Sequence, residues 1–107
     1  MGYIMVEIYG IPTDTFKCPA CISAINWCKH YKIPYKFIPI LNKTNDSMGF
    51  AYDKLVIEEL RRRAGKRTAP NKYPQIFVDD KWVGGFYDLK RATSEYQMVR
   101  AESTAGD

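Results

Sequence analysis

Apolar residues recur along this chain at two different spacings, and the points where the spacing changes divide it into elements. Residues 3–9 (Tyr-Ile-Met-Val-Glu-Ile-Tyr) are rich in β-branched and aromatic side chains and predict a strand, which Gly10 and Pro12 end. A polar loop runs to Lys17. From Pro19 the period becomes helical: Cys21, Ala24, Ile25, Cys28 and Tyr31 share one face, and Ser23, Asn26 and His30 lie opposite. Pro19 suits the first helical turn, where its missing N–H has no partner to lose. Residues 34–40 predict a second strand, with prolines that suit a sheet edge or a strand end. Residues 42–49 read as a turn-rich loop. A second helix is predicted over 52–64, with Val56, Ile57, Leu60 and Ala64 inward, and Glu58, Glu59, Arg61, Arg62 and Arg63 outward. Gly65 stops it. Residues 74–78 and 81–83 predict a hairpin turning at Asp79-Asp80. Gly84-Gly85 breaks the chain before a third helix with Leu89, Ala92, Tyr96 and Val99 on one face.

The order is βαβ, then α, then ββα. A right-handed helical crossover makes the first two strands parallel, and the hairpin adds an antiparallel pair. The expectation is an α/β fold with a four-stranded mixed sheet and three helices over its two faces, which resembles the thioredoxin-like architecture. At 107 residues one core is the limit, and residues 1–100 are read as the single domain, with a small polar tail over 101–107 that frays. The start lacks a basic segment followed by a long apolar run, and no stretch approaches the ~18 apolar residues of a membrane span. The expected setting is therefore soluble and cytoplasmic.

The net charge of +4 favours small anionic substrates or acidic partners and is too weak to imply nucleic acid by itself. Arg61, Arg62 and Arg63 with Lys66 and Arg67 read as a solvated basic face that offers a dock to an acidic protein or to nucleic acid. No aromatic residue interleaves the three arginines, which argues against a stacking platform.

Three cysteines do not make a disulfide scaffold, and Cys18-Pro19-Ala20-Cys21 in a reducing compartment points to redox catalysis or metal binding. Cys18 sits just ahead of the first helix, where unpaired N–H groups and the helix dipole favour an anion. Thiols so placed have pKa values lowered to roughly 3.5–7.5. Lys17 adds a neighbouring positive charge. Cys18 is thus the expected attacking thiolate. Cys21, nearly one turn on and on the apolar face, is the expected resolving thiol. For zinc, the remaining candidates would be Cys28 and His30. Cys28 lies about 10 Å further up the same helix, too far for one tetrahedral ion with ligands at ~2.0–2.3 Å. No metal is expected; Cys28 reads as a core residue and His30 as a surface residue near a helix end.

Three phrases then stand in order: Cys18-Pro19-Ala20-Cys21, Tyr73-Pro74 opening a strand, and Gly84-Gly85-Phe86-Tyr87-Asp88-Leu89 opening a helix. On these residues the chain resembles the glutaredoxin family over nearly its whole length. That family has Cys-Pro-Tyr-Cys at the first place, Thr-Val-Pro with a cis-proline at the second, and Gly-Gly-x-x-Asp-Leu at the third. The resemblance implies a thiol–disulfide oxidoreductase with no bound cofactor and glutathione as co-substrate, reducing protein disulfides and glutathione mixed disulfides. It implies a glutathione site at Tyr73, Pro74, Gly85, Tyr87 and Asp88, with Lys17 and Lys72 toward the glycyl carboxylate. Pro74 is the place for a cis bond, and the Tyr73 backbone would pair with the bound peptide. The start of the third helix would meet the γ-glutamyl carboxylate, and Asp88 its ammonium or simply the helix end. Ala20 and Tyr73 depart from the family pattern, moving an aromatic ring from one rim of the site to another.

The loop over 9–17, the longer middle region and the Gly-Gly-Phe phrase look most like the short glutaredoxins of large tailed phages. That setting implies electron supply to ribonucleotide reductase; the chain is expected to be a monomer. Two other readings stay open on the sequence. One is a thioredoxin-like donor recharged by a flavoprotein reductase, which would not need Asp88. The other is a binding module for nucleic acid or an iron–sulfur cluster; the family resemblance implies that Pro19 directly after Cys18 opposes a cluster.

Overall fold

Strand alternation sends Val6 and Ile8 to one side of a sheet and Glu7 and Tyr9 to the other, and each side acquires its own helical cover. In the computed structural model, which describes residues 4–94, the elements are β1 (Val6–Gly10), α1 (Pro19–His30), β2 (Tyr35–Pro39), β3 (Leu41–Lys43), β4 (Phe50–Tyr52), α2 (Lys54–Ala64), β5 (Gln75–Val78), β6 (Lys81–Gly84) and α3 (Phe86–Ala92). The expected strand start at Tyr3, the helical positions Tyr96 and Val99, and the tail over 101–107 lie outside the described residues.

The main sheet runs β2-β1-β5-β6. β1 pairs parallel with β2, Ile8 opposite Phe37, and antiparallel with β5, Ile8 opposite Ile76. β2 is an edge strand that ends on Pro39, where a missing N–H costs the ladder least. Asp79 and Asp80 both have positive φ, 51° and 68°, giving the β5–β6 hairpin a turn that follows the strand twist. The Asp79 carboxylate also accepts the Met5 N–H at 3.0 Å, tying this turn to the entry of β1.

On one face Val6, Ile8 and Ile76 pack with Ala24 and Cys28 of α1 and Leu89 of α3. On the other, Tyr9 and Phe77 pack with Ile40, Leu41 and Leu60 of α2. Leu60 is fully buried, a gain of roughly 1.5–3 kcal/mol over exposure. α2 starts at Asp53, whose carboxylate accepts the Val56 N–H at 3.2 Å, and stops at Gly65 in the left-handed conformation (φ 69°).

Two local expectations are corrected. Residues 42–49 are not simply a loop: β3 and β4 pair as a separate two-stranded sheet, Leu41 opposite Tyr52. Its strands have three residues each and bury one side chain, Leu41, so no period-2 pattern announces them. Arg63 does not face solvent. It lies along the sheet with its guanidinium 4.1 Å from the Phe77 ring centroid and bonded to Glu7 (2.8 and 3.1 Å) and to the Tyr9 hydroxyl (2.7 Å). Arginine's long apolar stem lets its charged head reach those partners at the margin of the core.

Candidate active site

Cys18 is the residue that caps α1. Its backbone is extended (φ −130°, ψ 91°), and its Sγ accepts the Cys21 N–H at 3.3 Å, one of the donors a helix start leaves unpaired. Pro19 follows at the first helical position and brings no N–H to compete. The sulfurs of Cys18 and Cys21 are joined in a disulfide with Cα atoms 5.2 Å apart. When that bond is reduced, negative charge on Cys18 Sγ meets a backbone N–H and the positive end of α1. Cys18 is 8% exposed and Cys21 1%, so an incoming sulfur finds Cys18 first. Gly10 makes room behind them: a Cβ there would stand 3.0 Å from both Cys21 Sγ and the Phe37 ring.

Beside the disulfide runs a groove of about 750 Å³. Pro19, Ala20 and Ser23 of α1 form one wall, the segment Lys72, Tyr73, Pro74 and Gln75 another, and the end of β6 with the start of α3 a third. The Tyr73–Pro74 peptide is cis. The Tyr73 carbonyl oxygen lies 3.9 Å from Cys18 Sγ. Among the described residues no backbone group bonds to the Tyr73 N–H or C=O, which leaves both for an extended peptide laid along the groove. The Tyr73 ring turns away from the sulfurs, packs against the α2-side core and donates its hydroxyl to the Pro70 carbonyl at 3.2 Å.

Asp88 faces the same groove from α3. Its Oδ2 accepts the Gly85 N–H at 3.0 Å and its Oδ1 accepts from Arg91 at 2.7 Å. These two donors, Gly85 first, hold its carboxyl below the usual carboxylate range. The carboxylate is therefore a helix cap and a groove wall at once. Gly84 permits this: its φ is +121°, and a Cβ would stand 2.5 Å from Asp88 Oδ2.

Of the residues singled out by sequence, the fold brings Lys72, Tyr73, Pro74, Gly85, Tyr87 and Asp88 to this groove. Lys17 is exposed next to Cys18 and is not among the groove's lining residues. Sequence reasoning missed Gln75 and Trp82. The Trp82 indole N–H donates to Gln75 Oε1 at 2.8 Å, and both residues line the groove. A tryptophan in a hairpin reads only as a strand former, and nothing in the sequence places Gln75 against it. Cys28 is fully buried in the α1-side core, and burial pushes its thiol up to about 11. His30 is exposed at the end of α1, edge-on to Tyr31. Among the described residues no group of three or more His, Cys, Asp or Glu side chains is placed to hold a metal. No described helix is long and apolar enough to cross a membrane.

Known proteins resemble this chain in sequence and in fold. The glutaredoxin family model matches residues 6–83. An uncharacterised 11.8 kDa protein of the Gp55–nrdG intergenic region of Enterobacteria phage T4 is 36% identical over 75 residues, covering 70% of this chain and 71% of that protein. Among solved structures, reduced Escherichia coli glutaredoxin is 25% identical with a TM-score of 0.58, covering 85% of this chain and 94% of that one. Glutaredoxin 1 of Francisella tularensis shares the fold at 24% identity and a TM-score of 0.56, covering 89% and 96%. A buckwheat glutaredoxin–glutathione complex shares it at 17% identity and a TM-score of 0.54, covering 94% and 78%.

Proposed function

The chain belongs to the glutaredoxin family of thiol–disulfide oxidoreductases, and from that premise we propose that glutathione is its reductant and that Cys18 and Cys21 carry the reaction. Cys18 thiolate attacks a disulfide sulfur of the substrate, forming a mixed disulfide and releasing one substrate thiol. With a protein disulfide, Cys21 then attacks Cys18 Sγ, releases the second thiol and closes the Cys18–Cys21 disulfide. Two glutathione molecules reopen it and leave as glutathione disulfide. With a glutathione mixed disulfide, Cys18 alone takes up the glutathionyl group and a second glutathione removes it.

The observation that carries the reading is the Tyr73 backbone, free to pair with a peptide and 3.9 Å from Cys18 Sγ, in a groove whose far wall holds Asp88. A glutathione laid there would pair with Tyr73 and pack on Pro74. Its γ-glutamyl end would lie toward Gly85, Tyr87 and Asp88, and its glycyl carboxylate toward Lys72. Lys17 contributes charge from outside the groove. The protein substrate we infer is ribonucleotide reductase, on the resemblance to the short glutaredoxins of tailed phages, with a monomer acting in the cytoplasm. The phage T4 relative supports that setting.

The test follows NADPH loss with a glutathionylated substrate in two couplings, one with glutathione and glutathione reductase, the other with thioredoxin reductase. Turnover with the first alone is expected. Turnover with the second alone would keep the dithiol and remove the glutathione site. Cys18→Ser should abolish all activity, whereas Cys21→Ser should keep deglutathionylation and lose protein-disulfide reduction. Equal loss in both would overturn the assigned roles.

A further inference from the structure

A second groove, of about 390 Å³, lies next to the first along the loop between α2 and β5. Lys72, Gln75 and Trp82 line both, so the two grooves adjoin across these three side chains. Its lining carries three cations, Lys66, Arg67 and Lys72, and no acidic residue. Among the described residues none of the three makes an ion pair. Elsewhere on this molecule charged neighbours do pair: Arg61 with Glu58, Arg63 with Glu7, Arg91 with Asp88.

The loop that presents these cations is held in place. Three side chains reach back to its carbonyls: Arg61 to Lys66 O at 2.8 Å, Tyr73 to Pro70 O at 3.2 Å, and Gln75 to Lys72 O at 2.8 Å. The Lys66 ammonium sits 4.1 Å from the Trp82 ring centroid, a cation–π contact that fixes its direction. Little ordering is left for a partner to impose.

We propose that this groove docks an acidic stretch of the protein whose disulfide is being reduced, on the side of the substrate cysteine that runs past Tyr73 and Lys72. The inference rests on the assignment of Cys18 and Cys21 as the reacting dithiol. A chain held strand-like at Tyr73 leaves the active-site groove over Lys72 and Trp82 and meets Lys66 and Arg67 next. Its carboxylates supply the charge those cations lack. Nucleic acid fits less well, because Trp82, the aromatic residue of the groove, has a face covered by Lys66 and its N–H taken by Gln75. In the reaction two electrons pass from the Cys18–Cys21 dithiol to the substrate disulfide. Two substrate thiols are released with the two protons, and the enzyme disulfide forms. Docking changes the encounter and leaves that balance as it is.

The experiment is a single-turnover mixing of the reduced protein with two fluorogenic disulfide peptides, without glutathione. The peptides differ only in carrying a short run of Asp and Glu, or of Ser and Gln, beside the disulfide. At low salt the acidic peptide should react about fivefold faster, and at about 300 mM salt the gap should close. The K66Q/R67Q variant should lose the gap while its rate on the neutral peptide stays that of the parent. Equal rates for the two peptides with the parent protein, or a gap that survives in K66Q/R67Q, would overturn the dock. So would tighter binding of single-stranded DNA than of the acidic peptide. Failure of the glutathione reading registers only in the coupled assay, and failure of the dock only here.

Discussion

Substituting Gly84 by alanine tests whether the wall of the active-site groove is held as described. Gly84 has φ +121°, and a Cβ would stand 2.5 Å from Asp88 Oδ2 and 2.9 Å from its Cγ. The backbone strain is worth about 1–3 kcal/mol. The carboxylate must also leave the Gly85 N–H, and a lost cap costs about 1 kcal/mol. The sum, about 2–4 kcal/mol, lowers Tm by about 8–16 °C at roughly 4 °C per kcal/mol for a chain of this size. Gly49 is the control. Its φ is +78° and nothing lies within 4 Å of where its Cβ would stand, so Gly49→Ala should cost only the left-handed penalty, about 1 kcal/mol or about 4 °C.

Thermal and urea denaturation by far-UV circular dichroism would read both. In an Asp88→Ala background there is no carboxylate to displace, so Gly84→Ala should cost about 1 kcal/mol less than in the parent. The displaced Asp88 should also raise the KM for glutathione more than it lowers kcat. A Tm for Gly84→Ala within about 2 °C of Gly49→Ala, or the same cost in both backgrounds, would refute the coupling of Gly84 to Asp88.

Other outcomes follow from the same geometry. Arg63→Met removes a guanidinium bonded to Glu7 and Tyr9 and leaves a carboxylate only 19% exposed without its partner; urea titration should show a loss of about 2–4 kcal/mol, and a loss below about 0.5 kcal/mol would deny the pair a structural role. Cys28 keeps its proton in the folded state up to about 11, against 9.0 for an unburied thiol, so its contribution to stability is complete below pH 9 and declines as pH rises from there toward 11. Cys28→Ala should flatten that decline, and an unchanged slope would count against burial as its cause. Asp88, whose carboxyl is lowered, contributes above its unfolded value near 3.8, and this is lost as pH falls through the folded one; Asp88→Asn should remove that acid-side dependence from the melting curve.

Most of the fold was legible because its elements carry strong local signals. The helical face of Cys21, Ala24 and Cys28 became buried as the spacing predicted, and Gly65 and the Asp79-Asp80 turn fell where backbone chemistry requires them. The β3–β4 pair escaped because three-residue strands with one buried side chain have no readable period. Arg63 escaped because a charged residue at a helix surface position reads as solvated. Its real environment is made by Glu7, Tyr9 and Phe77, 14 to 56 residues away in the chain.

The sequence by itself determined the dithiol: two cysteines three residues apart with a proline between them, the first at a helix start. Those properties depend on local spacing and on the backbone dipole of a single helix. Tertiary structure decided what surrounds the sulfurs. It set the Tyr73 carbonyl 3.9 Å from Cys18, turned Asp88 into both cap and wall, left Lys17 outside the groove, and joined Trp82 and Gln75 to a basic loop. Such neighbours come from strands and loops far apart in the chain. Only the register of β1, β5 and β6 in one sheet brings them together, and that register is a property of the packed core as a whole.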